Sequence, residues 1–250
     1  MPAAGTSRKA VEPAKPRFEP RMAIGIAAAL VFVIEAWVPM GHQILYPLTL
    51  FTTWVHEMGH GLTALVMGGH FHELVIRGDA SGYAVASASR GWPEALVFAG
   101  GLLAPPILGS FILGFVHGPR RARILLAALA AGLVISVAIY VRSTVGVIAM
   151  PVVAALLGWA AWRGFRKKPH RRVVMAQVLG VMLALDTVFR MVGYALSSEA
   201  RKGEASDVQL MANELGGPYW LWGLGIIAIA LSLLAFSLWW AWRRPAPRDV

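Results

Sequence analysis

The sequence predicts an all-α polytopic membrane protein of six to seven transmembrane helices. Three observations predict it. Of the 250 residues, 57% are apolar and only 14% are charged, against roughly a quarter charged in soluble domains. Seven apolar segments, each close to the ~20 residues that span a bilayer as helix, run the length of the chain. The basic residues fall in short runs between those segments, as in membrane loops.

The elements follow in order. Residues 1–21 are polar, with Pro2, Pro13, Pro16 and Pro20 and five Lys/Arg, and read as a disordered basic tail. A single membrane domain covers 22–242, and a short basic tail covers 243–250. The apolar run Met22–Met40 is long enough for a retained first helix, with no small-x-small cleavage site after it. Further apolar segments cover 45–67, 94–116, 124–141, 144–162, 173–196 and 219–242. The 94–116 segment is the weakest helix, because Gly100-Gly101 and Pro105-Pro106 break or kink a helix unless neighbours satisfy the freed backbone. Trp220, Trp222, Trp239, Trp240 and Trp242 flank the last segment as interfacial anchors.

Residues 68–91 differ. Glu73-Leu74-Val75-Ile76-Arg77 and Tyr83-Ala84-Val85-Ala86, split by Gly78-Asp79-Ala80-Ser81-Gly82, predict a β-hairpin over about 71–90. At membrane depth it must lie against protein or a wet cavity, since lipid cannot pair its edges.

The formal charge is +10. Arg120, Arg121 and Arg123, then Arg163, Arg166, Lys167, Lys168, Arg171 and Arg172, then Arg243, Arg244 and Arg248 carry much of it. This placement suits contact with anionic lipid and argues against nucleic-acid binding. Loops after the third, fifth and seventh segments are therefore cytoplasmic by charge. Parity then puts the N-terminus outside, in conflict with its own basic tail. With no cysteine, a metal would be held by His, Asp or Glu.

The segment 45–67 contains His56-Glu57-Met58-Gly59-His60. Four residues are about one helical turn, so both imidazoles project from one face and can bind one zinc ion. Glu57 is placed to take a proton from a metal-activated water. Two histidines and a glutamate within an apolar segment need a physical reason, because a charge at the bilayer centre costs roughly 2.5–3.5 kcal/mol. A bundle hydrogen-bonded without metal is the plainer alternative. Gly59, Gly61, Gly68 and Gly69 suit close helix packing.

Zinc needs a third protein ligand and an open position. Asp186, midway along its segment and so matched in depth to the histidines, is the first choice. Against it stands an i,i+4 ion pair with Arg190. Asp207 is the alternative, its competing role being that either it or Ser206 caps a short helix through Glu214. His70 and His72 share one side of a strand and offer a further metal pair or polar residues at the membrane surface. His42, His117 and His170 lie at loop edges.

HEMGHGLTALVMGG, the Gly-rich hairpin with Ser81-Gly82, FAGGLLAPPILG and SDVQLMANELGGPYWLWG together resemble the M50 peptidases, the site-2 protease family, and most the M50B-like bacterial branch. The resemblance extends over residues 45–235 and is sharpest at the HExxH. It implies zinc held by His56, His60 and a later aspartate, Glu57 as base, and a hairpin, within Gly69–Arg90, that guides an extended substrate. It also implies peptide-bond hydrolysis in membrane-protein substrates by a multi-pass protein of the bacterial inner membrane. The chain departs from the family where the aspartate sits in Leu-Asp-Thr or Ser-Asp-Val rather than Asn-Pro-Asp-Gly or Leu-Asp-Gly. Two rivals stand beside this reading: a metal-binding protein without turnover that binds client helices, and a transporter, ranked last because no internal repeat is present.

Overall fold

The structure, a computed structural model, describes residues 20–38, 40–196 and 206–243. Helices are α1 (Pro20–Trp37), α2 (Gly41–Val66), α3 (Trp92–Phe115), α4 (Pro119–Ile139), α5 (Thr144–Trp159), α6 (His170–Leu196), α7 (Asp207–Leu215) and α8 (Tyr219–Arg243). A π-helical turn, Ala160–Gly164, extends α5. Strands β1 (His70–Ile76) and β2 (Gly82–Ser87) lie between α2 and α3. A helix thus occupies each of the seven apolar segments, and the polytopic all-α fold is as expected. Of the predicted tails, 20–21 already belong to α1 and 243 closes α8; residues 1–19 and 244–250 lie outside the described residues. So does most of the polar stretch before Asp207, residues 197–205.

Among the described residues, α3, α4, α5 with its π turn, α6 through Met191, and α8 are long and apolar enough to cross a membrane. Large apolar side chains such as Ile124, Ile148, Leu224 and Phe236 are exposed on these helices, as lipid contact requires and water would penalise.

The segment expected to be weakest is one continuous helix, α3, and it is as buried as any of the spans. Pro106 has no N–H, so the Leu102 carbonyl one turn earlier loses its helical donor. The Thr187 hydroxyl of α6 donates to that carbonyl instead. Packing restores what the sequence removes. Glycines set the close crossings on both sides of α3. A Cβ on Gly59 would lie 2.4 Å from the Gly100 carbonyl oxygen, and one on Gly109 would lie 2.4 Å from the Ala184 nitrogen.

The hairpin is antiparallel, pairing Ile76 with Gly82 and His70 with Ser87, with a bulge between Phe71 and Glu73. It doubles back along α2. The Tyr46 hydroxyl donates to the Gly78 carbonyl (2.8 Å), and Thr53 Oγ1 donates to the Ala80 carbonyl (2.8 Å). Phe71, Leu74 and Ile76 are buried against the bundle. The outer edge of β1 is closed by the α4–α5 connection: Leu74 N–H donates to the Tyr140 carbonyl and Arg142 N–H to the Leu74 carbonyl. The Ile76 N–H donates to Ser143 Oγ. In the turn, hydrogen bonds from the Ser81 hydroxyl and N–H hold the Asp79 carboxyl below its ordinary range.

Candidate metal centre

The site is built on the buried middle of α2. His56, Glu57 and His60 are 5%, 4% and 8% exposed, so water barely hydrates them and each needs a partner in the protein. His60 Nδ1 lies 2.9 Å from the Val97 carbonyl of α3. That carbonyl can only accept, so Nδ1 carries the proton and Nε2 keeps its lone pair for a metal. The ring fits because residue 101 is glycine: a Cβ there would sit 2.1 Å from His60 Nε2.

The third group is Asp207. Its Oδ2 lies 3.2 Å from His56 Nε2, and its Oδ1 lies 3.6 Å from His60 Nε2. The two Nε2 atoms are 3.2 Å apart. Among the described residues this is the group of three His, Asp or Glu donors able to share one ion. Donors bonded at 2.0–2.2 Å to a tetrahedral zinc stand about 3.4 Å apart, so the spacing fits. The charges fit too, since no Lys or Arg among the described residues forms an ion pair with Glu57 or Asp207. The Asp207 side chain keeps 23% of its exposure.

Local chemistry sets Asp207 in place. Ser206 caps α7 through its side chain, as the sequence suggested, and puts Asp207 in the first helical position. Val208 and Met211 pack into a small core with Ala99, Leu102 and Ile226. At the far end Glu214 accepts from the Gly91 N–H (2.8 Å), which ties α7 to the start of α3.

Asp186, the first choice for third ligand, is placed otherwise. Its Oδ2 accepts from Arg190 Nε at 2.7 Å, the i,i+4 pairing weighed against it. Arg190 Nη2 then donates to Thr53 Oγ1 (3.0 Å), whose own proton goes to the Ala80 carbonyl. Asp186 therefore begins a chain that ends on the hairpin turn. Matched depth was not enough to bring it to the histidines, because a nearer cation on its own helix face neutralises it. Thr53 escaped notice in the sequence, although it lies one turn before Glu57 on the same face.

His70 and His72 stack on the exposed side of β1, with ring centroids 5.8 Å apart, and are not part of the donor group. His117 Nε2 lies 2.9 Å from the Gly114 carbonyl near the end of α3. The side chain of His42 is outside the described ones. Glu57 makes no hydrogen bond to a described residue, and a Cβ on Gly82 would lie 3.1 Å from its Cγ and 2.9 Å from the Thr53 methyl. Strand β2 therefore starts against Glu57, where an added Cβ would crowd the Thr53 methyl and the Val75 carbonyl. Among the described residues its strand partner is β1.

A family model described as Peptidase M50B-like matches residues 23–237. No curated protein and no solved structure matches the chain.

Proposed function

The chain belongs to the Peptidase M50B-like family, and from that premise we propose that it is a zinc-dependent intramembrane protease of the site-2 type, cutting membrane-embedded substrates in a bacterial cell membrane. The convergence of His56, His60 and Asp207 beside an unbonded Glu57 carries this reading. It also favours Asp207 over Asp186 as the third ligand.

His56, His60 and Asp207 would hold the ion, which when bound supplies a Lewis acid and lowers the pKa of water toward ~7. Glu57, beside His56 in the chain and without a hydrogen bond to any described residue, takes the proton of the attacking water and delivers it to the leaving amine. A scissile bond within a helix buries its carbonyl in the helix's own hydrogen bonds, so the substrate must unwind. The edge of β2 away from β1, which pairs with no strand among the described residues, can hold it as an added strand, and that edge begins at Gly82 against Glu57. The chain Asp186–Arg190–Thr53–Ala80 keeps the turn fixed to the helix that bears the base.

Metal analysis of purified protein tests the assignment. Stoichiometric zinc is expected in the wild type, Glu57→Gln and Asp186→Asn, and its loss in His56→Ala and Asp207→Ala. Cleavage of a membrane-embedded substrate should vanish in Glu57→Gln with zinc retained. Zinc kept by Asp207→Ala and lost by Asp186→Asn would reverse the ligand choice. Cleavage by Glu57→Gln would remove the proposed base.

A further inference from the structure

At the end of the bundle where α4 starts, α5 finishes and α6 starts lies a cavity of about 480 Å³. It is lined by Arg123, Trp162, Arg163, Arg166 and Arg172. Four guanidinium groups from three elements face one space. Between Glu94 and Asp186 the chain has no acidic residue, and Asp186, about four turns along α6, is paired with Arg190, so no carboxylate near these ends of α4, α5 and α6 neutralises them.

The four are not equivalent. Arg172 is buried, 9% exposed, and donates from Nε to the Ala160 carbonyl (3.1 Å) and from Nη2 to the Trp162 carbonyl (3.4 Å). It satisfies carbonyls of the π turn and fixes the floor of the cavity. Arg123, Arg163 and Arg166 are exposed, and their side chains make no hydrogen bond or ion pair with any described residue. Three charge-bearing groups held beside a fixed fourth repel one another unless an anion joins them. Guanidinium groups match phosphate oxygens in pairs.

Position identifies the anion's source. The cavity lies at the ends of three apolar spans, Pro119–Ile139, Thr144–Gly164 and His170–Met191, which is the depth of lipid headgroups. Exposed Trp159 and Trp162 stand beside it, where indole rings favour the membrane interface. On α5, Val152, Leu156 and Trp159 are exposed at helical spacing, and Arg163 continues the same stripe. An apolar track leading to a cationic cup matches a molecule with an acyl chain and a phosphate.

We propose that this cavity is a binding site for the phosphate headgroup of an anionic phospholipid, with an acyl chain laid along the Val152–Leu156–Trp159 face. The site is separate from the metal centre and does not depend on proteolysis.

The full-length protein in nanodiscs of phosphatidylcholine doped with phosphatidylglycerol tests it, by native mass spectrometry of retained lipid and by titration with fluorescent phosphatidylglycerol. Arg163→Gln/Arg166→Gln should weaken phosphatidylglycerol binding at least about 30-fold, since charge-assisted bonds are lost. Lys167→Gln/Lys168→Gln removes equal charge from the same loop but no cavity wall, and should weaken it less than about 5-fold. All four replaced positions are exposed, and an unchanged melting temperature verifies folding. Equal losses in the two variants would reduce the effect to diffuse attraction and overturn the site. So would full displacement of the lipid by millimolar inorganic phosphate, which would make the ligand a free anion.

Discussion

Gly101→Ala is the sharpest single-atom test of the metal centre. The added methyl would lie 2.1 Å from His60 Nε2, 2.2 Å from its Cε1 and 2.5 Å from its Cδ2. Ordinary carbon–nitrogen contact needs about 3.5 Å, so the ring must retreat by more than an ångström. Metal sites tolerate about ±0.2 Å in ligand distance, and Nε2 is the proposed donor atom. Helix α3 cannot retreat in its place, because Gly59 and Gly100 already hold the two backbones together on the same face. One of the three proposed ligands is thereby lost. Disturbing even an outer hydrogen-bond partner costs 10–100-fold in metal affinity, so about 100-fold or more is expected here, near 3 kcal/mol. The assay is zinc affinity by competition with a chromophoric chelator, with circular dichroism to verify that helix content is unchanged. Gly158→Ala, where nothing lies within 4 Å, is the control and should leave zinc affinity alone. Zinc affinity in Gly101→Ala within about twofold of the wild type would mean that His60 Nε2 is not a ligand in this geometry.

Two further outcomes are expected. Thr187→Val keeps the shape of the side chain but strands the Leu102 carbonyl freed by Pro106; unfolding in detergent should show a loss of about 1–3 kcal/mol, and no change would mean that α3 does not need this bond. Ala84→Pro removes a backbone donor from the edge of β2 turned away from β1, since Ala84 stands opposite Leu74, whose own N–H and carbonyl face the α4–α5 connection. It should depress cleavage strongly while zinc content stays at the wild-type value, and undiminished cleavage would show that substrate does not add to this strand.

Much of the site was legible in advance because its information is local. His56 and His60 are one turn apart, and no tertiary contact is needed to put two imidazoles on one face of an apolar helix. Glu57 follows from adjacency, and a cap at Ser206 or Asp207 from residue type, the structure choosing Ser206. The third donor depended on a contact distant in sequence. Asp186 and Asp207 were both admissible by spacing and depth, and the choice turned on the Arg190 pair and on how α7 packs against α3 and α8.

From its sequence alone this chain was determined as a lipid-solvated helical bundle with a hairpin after the HExxH helix, since length, hydropathy and strand alternation act over one segment at a time. Tertiary structure alone decided that α3 survives its paired prolines, because the replacement donor sits on α6. It also decided that β1 spends its outer edge on the α4–α5 connection while β2 meets no second strand among the described residues, and that scattered arginines from three elements share one cavity. Each of these depends on side chains meeting across helices. Local periodicity carries no term for such meetings; the energy of filling a buried acceptor or gathering like charges exists only once the segments pack.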